Sequence, residues 1–222
     1  MWARAALAPP FALLNAGLRP RGFALATYRA IATVGQAIAG LLKDASAGTE
    51  FDGFRFELYQ AADFKAESAV KEGVTVYLYR VSINATLRSL PPTTGPDGQR
   101  YRAPLPVDIY YLLTPWAKSA AKQQRLLGWA MRKLQDVPIL PASLLNHYVP
   151  EDETFRKQET VELICETVSL QDMTNILDTI ELDEQLSVVY CARMILLESE
   201  APLNEGPPVQ TRAFDYAKGP EG

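Results

Sequence analysis

The chain has 222 residues, 48% of them hydrophobic and 22% charged, and carries a net charge of -4. That length and balance suit one globular domain with a substantial core. The Lys and Arg residues are scattered rather than clustered on one face, which argues against nucleic acid as a partner, and no run approaches the roughly 18 continuous apolar residues of a membrane span.

Residues 1–22, MWARAALAPPFALLNAGLRPRG, hold an apolar patch that Pro9-Pro10 interrupts and that basic residues flank on both sides. This is not signal-peptide grammar, and the segment reads as a mobile arm or as an upstream start. From Ala24 to Lys43 the residues Tyr28, Ile31, Val34, Ile38, Leu41 and Leu42 recur at helical spacing and predict an amphipathic helix. Phe54 to Tyr59 predicts a short strand. Val74 to Leu87 predicts a long one, with Tyr77, Tyr79, Val81, Ile83 and Leu87 on one face and Arg80, Ser82 and Asn84 offered to something polar on the other.

A long loop follows, roughly Ser89 to Pro104, carrying Pro91-Pro92, Pro96-Asp97-Gly98 and the pair Tyr101-Arg102. Loops of this length either serve a contact or are disordered, and spacing alone leaves both readings open. The turn residues and an exposed Tyr beside an Arg suit a contact. Leu105, Val107, Ile109, Tyr111 and Leu113 then alternate with Pro106, Asp108 and Tyr110, giving a partner strand whose prolines lie at its start. Together the two strands and the loop predict a large β-hairpin.

Lys118 to Gln135 predicts a helix through Ala121, Leu127, Met131 and Leu134, ending before Pro138 and Pro141, and Val137 to Tyr148 reads as a connector. Thr160 to Ser169 alternates as a half-buried strand, with Val161, Leu163 and Cys165 facing in and Glu162 and Glu166 facing water. Gln171 to Ile180 predicts a short helix with Met173, Ile176, Leu177 and Ile180 on its apolar side, and Ser169 with Asp172 resembles a capping pair. Leu186 to Glu198 predicts a strong strand. Beyond Ser199 the composition shifts to Pro, Gly, Asn and Glu, with Phe214 and Tyr216 the only large aromatic residues, so residues 200–222 read as a tail that a partner orders. The elements interleave without a strict βαβα rhythm. The expected fold is therefore α+β, a mixed, mainly antiparallel sheet with packed helices over residues 23–199, a long β-hairpin and flexible terminal arms.

No catalytic spacing appears: there is no GxGxxG, GxxxxGK[ST], HExxH or GxSxG. His147 is the single histidine and reads as structural or surface. Glu151-Asp152-Glu153 lacks the glycine turn of a calcium loop and reads as a solvated acidic turn. Cys165 and Cys191, in apolar strand-like runs without a CxxC, read as buried thiols of a reducing compartment rather than a bridge. Trp116 and Trp129 read as core. Neither a metal site nor a cofactor site is expected, and no cluster is present from which to build an enzyme pocket.

Six segments, ATYRAIATVGQAIAGLL at 26–42, VSINATLRSLPP at 81–92, GQRYRAPLPVDIYYLLTPWA at 98–117, LLGWAMRKLQDVPILPASLLN at 126–146, VSLQDMTNILDTI at 168–180 and LSVVYCARMILLES at 186–199, resemble in order and spacing the tail-terminator or cap proteins of extracellular contractile injection systems. The family shares an N-terminal domain formerly of unknown function, and the resemblance runs from about residue 24 to residue 199. It implies a phage tail-terminator-like fold and a structural role without catalysis: a homo-hexameric ring that closes the inner tube and holds the sheath at the baseplate-distal end. The chain would be assembled in the cytoplasm into a particle that is either retained or released, and a baseplate or connector component of the same particle is the alternative. The resemblance and the polar and aromatic placements above nominate as partner-binding Arg80, Asn84, Arg88, Pro91, Pro92, Asp97, Tyr101 and Arg102 on the hairpin toward tube protein or a neighbouring subunit, and Phe214 and Tyr216 in the tail toward sheath protein.

Overall fold

A computed structural model describes residues 26–87, 89–95, 98–149, 154–182 and 185–203. Arg88, Asp97, Phe214, Tyr216, the arm at 1–22 and the acidic run at 151–153 lie outside the described residues. The strands are β1 (Arg55–Tyr59), β2 (Gly73–Ile83), β3 (Thr93–Thr94), β4 (Arg100–Tyr101), β5 (Leu105–Trp116), β6 (Ile139–Pro141), β7 (Thr160–Glu166) and β8 (Val188–Leu197), and the helices are α1 (Ala30–Ser46), α2 (Ala120–Asp136), α3 (Ala142–His147) and α4 (Leu170–Thr179). Six strands form one sheet in the order β1-β2-β5-β8-β7-β6, while β3 and β4 form a separate ribbon. Only β1 and β2 run parallel in the large sheet; the other pairs are antiparallel. The fold is α+β with a mixed, mainly antiparallel sheet.

One face of this sheet is thickly covered. From α1, Val34, Ala37, Ile38, Leu41 and Leu42 are buried against Val74 and Val76 of β2, Ile109, Tyr111 and Leu113 of β5, and residues of β7 and β8. The small residues of α1 let it lie close: a Cβ on Gly35 would come within 2.7 Å of Leu58 Cδ1 and 3.2 Å of Tyr111 Cε1. The Tyr111 hydroxyl, wholly buried, donates to the Ile31 carbonyl at 2.9 Å and ties helix to sheet. Leu126, Ala130 and Leu134 of α2 and Ala142 and Leu145 of α3 complete the layer.

The other face is thin. Its buried apolar set is Leu112, Leu177, Ile180 and Val189, edged by half-buried Phe64, Tyr77, Tyr79 and Tyr110. Among the described residues, α4 and the short turn of helix at Ala61–Lys65 lie over it. The expected cap is present, since Ser169 Oγ accepts the Asp172 N–H at 3.1 Å and donates to the Asp172 carboxylate at 2.7 Å.

Several boundaries and faces differ from expectation. Helix α1 starts at Ala30 rather than Ala24, because Ala26 pairs with Leu197 in a parallel bridge and donates its N–H to Glu159 at 2.9 Å. Tyr28, expected on the apolar side, is 69% exposed. In α2 the core side is Leu126, Ala130 and Leu134, so Ala121 faces water while Leu127 and Met131 are only half-buried. The expected connector contains β6 and α3. Cys191 is buried as expected, but Cys165 is exposed near the end of β7.

The long strand also ends early. It stops at Ile83, because the Asn84 side chain accepts the N–H groups of Thr86 (3.0 Å) and Leu87 (3.2 Å) and turns the chain into a short helical turn. Within β2 a bulge at Tyr79 shifts the register, pairing Leu78 with Tyr111 but Arg80 with Tyr110. Tyr77 and Tyr79 therefore share the thin face with Arg80, whereas Val81 and Ile83 pair with Ile109 and Val107 on the thick face. The predicted single apolar face of this strand is divided between both sides of the sheet.

Candidate functional site

Both ends of the described chain and the long hairpin loop converge on one end of the sheet. There β2 ends, β5 begins, β8 ends and Ala26 arrives beside Leu197, with Glu198 donating its N–H to the Ala26 carbonyl at 2.8 Å. A buried carboxylate holds these strands together. Asp108, 8% exposed, accepts the Asn84 amide through both oxygens (3.1 and 3.0 Å) and the Met194 N–H at 2.9 Å. Met194 sits at φ 62 in a second register shift, where β5 passes from Val107 to Ile109 opposite Ile195 and Ala192. A residue other than glycine in that conformation is strained, and a bulge of this kind re-aims side chains. Met194 is accordingly 50% exposed.

From this root the described parts of the loop pair as a two-stranded ribbon. Thr93 pairs with Tyr101 and Thr94 with Arg100, and the turn at its tip is closed by Gly95 N–H to Gln99 carbonyl at 2.8 Å. The described chain beyond Ser199 then adds to the ribbon's edge: Arg102 donates its N–H to Ala201 at 3.1 Å, and Leu203 donates to Arg100 at 2.8 Å, with Tyr101 opposite Pro202. The first residues after the expected boundary are thus paired rather than loose.

Of the nominated residues, Tyr101 and Arg102 lie on or next to the ribbon strand, Arg102 and Pro91 exposed and Tyr101 and Pro92 half-buried. Asn84 does not face outward. It is 5% exposed and its amide is engaged by Asp108, so this residue shapes the turn instead of meeting a partner. Sequence reasoning did not single out Asp108, Met194 or Glu159; the only local signal was Asn84 standing at the end of an alternating run.

Two surface features flank this end. Beyond Tyr77, β2 has no neighbour on the β1 side among the described residues. Along that open edge Val81 and Ile83, with Leu105 on β5, leave 45%, 54% and 48% of their surface exposed on the thick-face side. On the thin face, Tyr77, Tyr79, Tyr110, Arg80, Glu166 and α4 enclose a cleft of about 520 Å³. The Arg80 guanidinium lies 5.2 Å from the Tyr110 ring centre. Burial lifts the Tyr79 hydroxyl to about 12 and raises that of Tyr110, so both stay neutral. Among the described residues no group of His, Cys, Asp and Glu is placed to hold a metal ion, and no helix is long and apolar enough to cross a membrane.

A mixed sheet with three helices on one side and a ribbon that pairs with residues 201–203 defines an α+β module, and comparison with solved structures places this architecture among known ones. The cryo-EM structure of the sheath/tube terminator of an extracellular contractile injection system, PVC, in the extended state matches with a TM-score of 0.51 at 14% identity, over 84% of this chain and 64% of that one. The tube-terminating cap of the anti-feeding prophage aligns at 15% identity and a TM-score of 0.49, over 82% of this chain and 60% of that one. At such identity the likeness to the first is one of fold, and this chain spans less than two thirds of either protein's length. No curated protein matches the sequence. The chain belongs to the Pvc16 N-terminal domain family, whose description it matches over residues 33–211.

Proposed function

We propose that this chain is a structural cap of a contractile injection system, closing the inner tube and anchoring the sheath at the baseplate-distal end, without catalytic activity. The observation that carries the reading is the sheath/tube terminator fold in a chain of this family, joined to an end of the sheet where the β3–β4 ribbon and both ends of the described residues gather. A growing tube presents a recurring set of unsatisfied surfaces, and a terminator must match one set while offering nothing to the next subunit. The ribbon, through Pro91, Pro92, Arg88, Asp97, Tyr101 and Arg102, is the contact toward tube protein. The chain beyond Leu203, with Phe214 and Tyr216, is the arm toward sheath protein. Subunits join in a homo-hexamer assembled in the cytoplasm, and their mutual contact uses the open edge of β2 with Val81, Ile83 and Leu105, an apolar strip that a monomer would leave in water.

The test is the mass of the purified chain in solution, alone and with assembled inner tube. A six-fold species that forms at tube ends, and that Val81→Arg with Ile83→Arg reduces to a folded monomer, supports the reading. A wild-type monomer indifferent to tubes refutes it, and a label on intact particles found at the baseplate would reassign the chain to the opposite end.

A further inference from the structure

The thin face leaves unmatched chemistry that the capping role does not use. The cleft floor is three tyrosine rings, Tyr77, Tyr79 and Tyr110, half-buried and open to solvent along α4. Arg80 at its rim meets no carboxylate among the described residues and rests only on the Tyr110 ring. On the facing wall stand Glu166, which has no ion pair among the described residues, and Asp172 at the start of α4. An occupant suited to this surface has aromatic rings for the floor, an acid for Arg80 and basic groups for the opposite wall.

Residues 204–222 contain that set in one short stretch, Arg212-Ala213-Phe214-Asp215-Tyr216-Ala217-Lys218. Its point of departure is known, because Leu203 is paired with Arg100 on the ribbon. From Arg100 to Tyr110 on the cleft floor the chain runs ten residues, a separation of at most about 34 Å along ribbon and strand. From Leu203 to Phe214 it runs eleven, which spans up to about 36–40 Å when extended. The cleft is within reach of the chain's own tail, and a tethered segment faces an effective concentration near the millimolar range that a second copy at ordinary dilution does not match.

We propose that in the free protein the Phe214-Asp215-Tyr216 segment seats in the tyrosine cleft of the same chain, its rings on Tyr77, Tyr79 and Tyr110 and its Asp215 carboxylate on Arg80. The occupied cleft would close the side of the sheet that α4 alone covers poorly. This contact does not rest on the capping role and is tested without tube or sheath.

The experiment is hydrogen exchange on the full-length chain, read peptide by peptide over the tail and the cleft rim at 166–176, for wild type, Phe214→Ala with Tyr216→Ala, Arg80→Glu, and Arg80→Glu combined with Asp215→Arg. Both wild-type regions should be protected equally at tenfold different protein concentrations. The double alanine variant should lose about tenfold or more of the tail's protection, and rim exchange should rise with it. Arg80→Glu should lose part of it and the charge-swapped pair regain it. Tail substitutions leave the described core intact, so misfolding does not obscure the result. Tail amides exchanging at the unprotected rate in wild type, or protection unaffected by all of these variants, overturns the proposal. Protection that falls on dilution overturns its intramolecular form and assigns the cleft to a second copy.

Discussion

The two faces of the sheet are built to different standards. Under α1, α2 and α3 the side chains of β2, β5, β7 and β8 are buried in one continuous cluster, and Tyr111, wholly buried there, has its hydroxyl bonded to a helix carbonyl. Under α4 the buried apolar set is four residues, surrounded by tyrosines that keep their rings partly wet and by an arginine that no carboxylate meets among the described residues. The first face specifies the fold, since close packing there leaves little freedom for rearrangement. The second is where aromatic and charged side chains stay partly open to solvent.

That contrast is breakable by substitution. The largest effect is expected from Leu42→Ala, fully buried on the thick face, which should cost about 3 kcal/mol in chemical denaturation, while Ile176→Ala on the half-covered α4 should cost less than about 1 kcal/mol. Equal costs would mean that the thin face is as well packed as the other. Next comes Asp108→Ala at the junction of the strands. It leaves the Asn84 amide and the Met194 N–H without their acceptor and should cost about 2 kcal/mol, with faster amide exchange in the ribbon at 93–101 than in the sheet centre. Unchanged ribbon exchange would show that the ribbon holds itself.

The smallest effect concerns Glu159, which accepts the N–H groups of Ala26 (2.9 Å) and Arg156 (2.7 Å) where the chain reaches α1. Burial lifts its carboxyl above the usual range, outweighing the amides that favour the charged form. For an acid whose pKa is higher folded than unfolded, the stabilising contribution is complete below the unfolded value of about 4.3 and is lost as pH rises through the folded value. Wild-type stability should therefore decline modestly as pH rises from about 4.3 through that window, relative to Glu159→Gln, whose profile should be flat there. Parallel profiles would remove Glu159 as the titrating group.

Much of the architecture was readable from local pattern. The 3.6-residue recurrence of Val34, Ile38, Leu41 and Leu42, the alternation from Leu105 to Leu113, and the Ser169–Asp172 cap each describe a structure whose governing contacts lie within a few residues. Local pattern failed wherever a distant partner intervened. The alternation from Tyr77 to Ile83 assumes an unbroken ladder, but the bulge at Tyr79 turns Val81 and Ile83 to the face opposite the tyrosines, and a bulge is a property of the pair of strands. Asn84 looked available because its amide is polar, and its acceptor stands 24 residues away on the partner strand.

What the sequence by itself determined is the long helices and strands, the α+β class and the family pattern, because these depend on periodicity and turn chemistry along the chain. Tertiary structure alone decided that the loop is a ribbon, that residues 201–203 pair with it, that a buried carboxylate anchors its root, and that one face of the sheet stays thin enough to hold a tyrosine cleft. Each of these is a hydrogen bond or a packing contact between segments far apart in the chain, and no local preference encodes which distant group will be there to meet it.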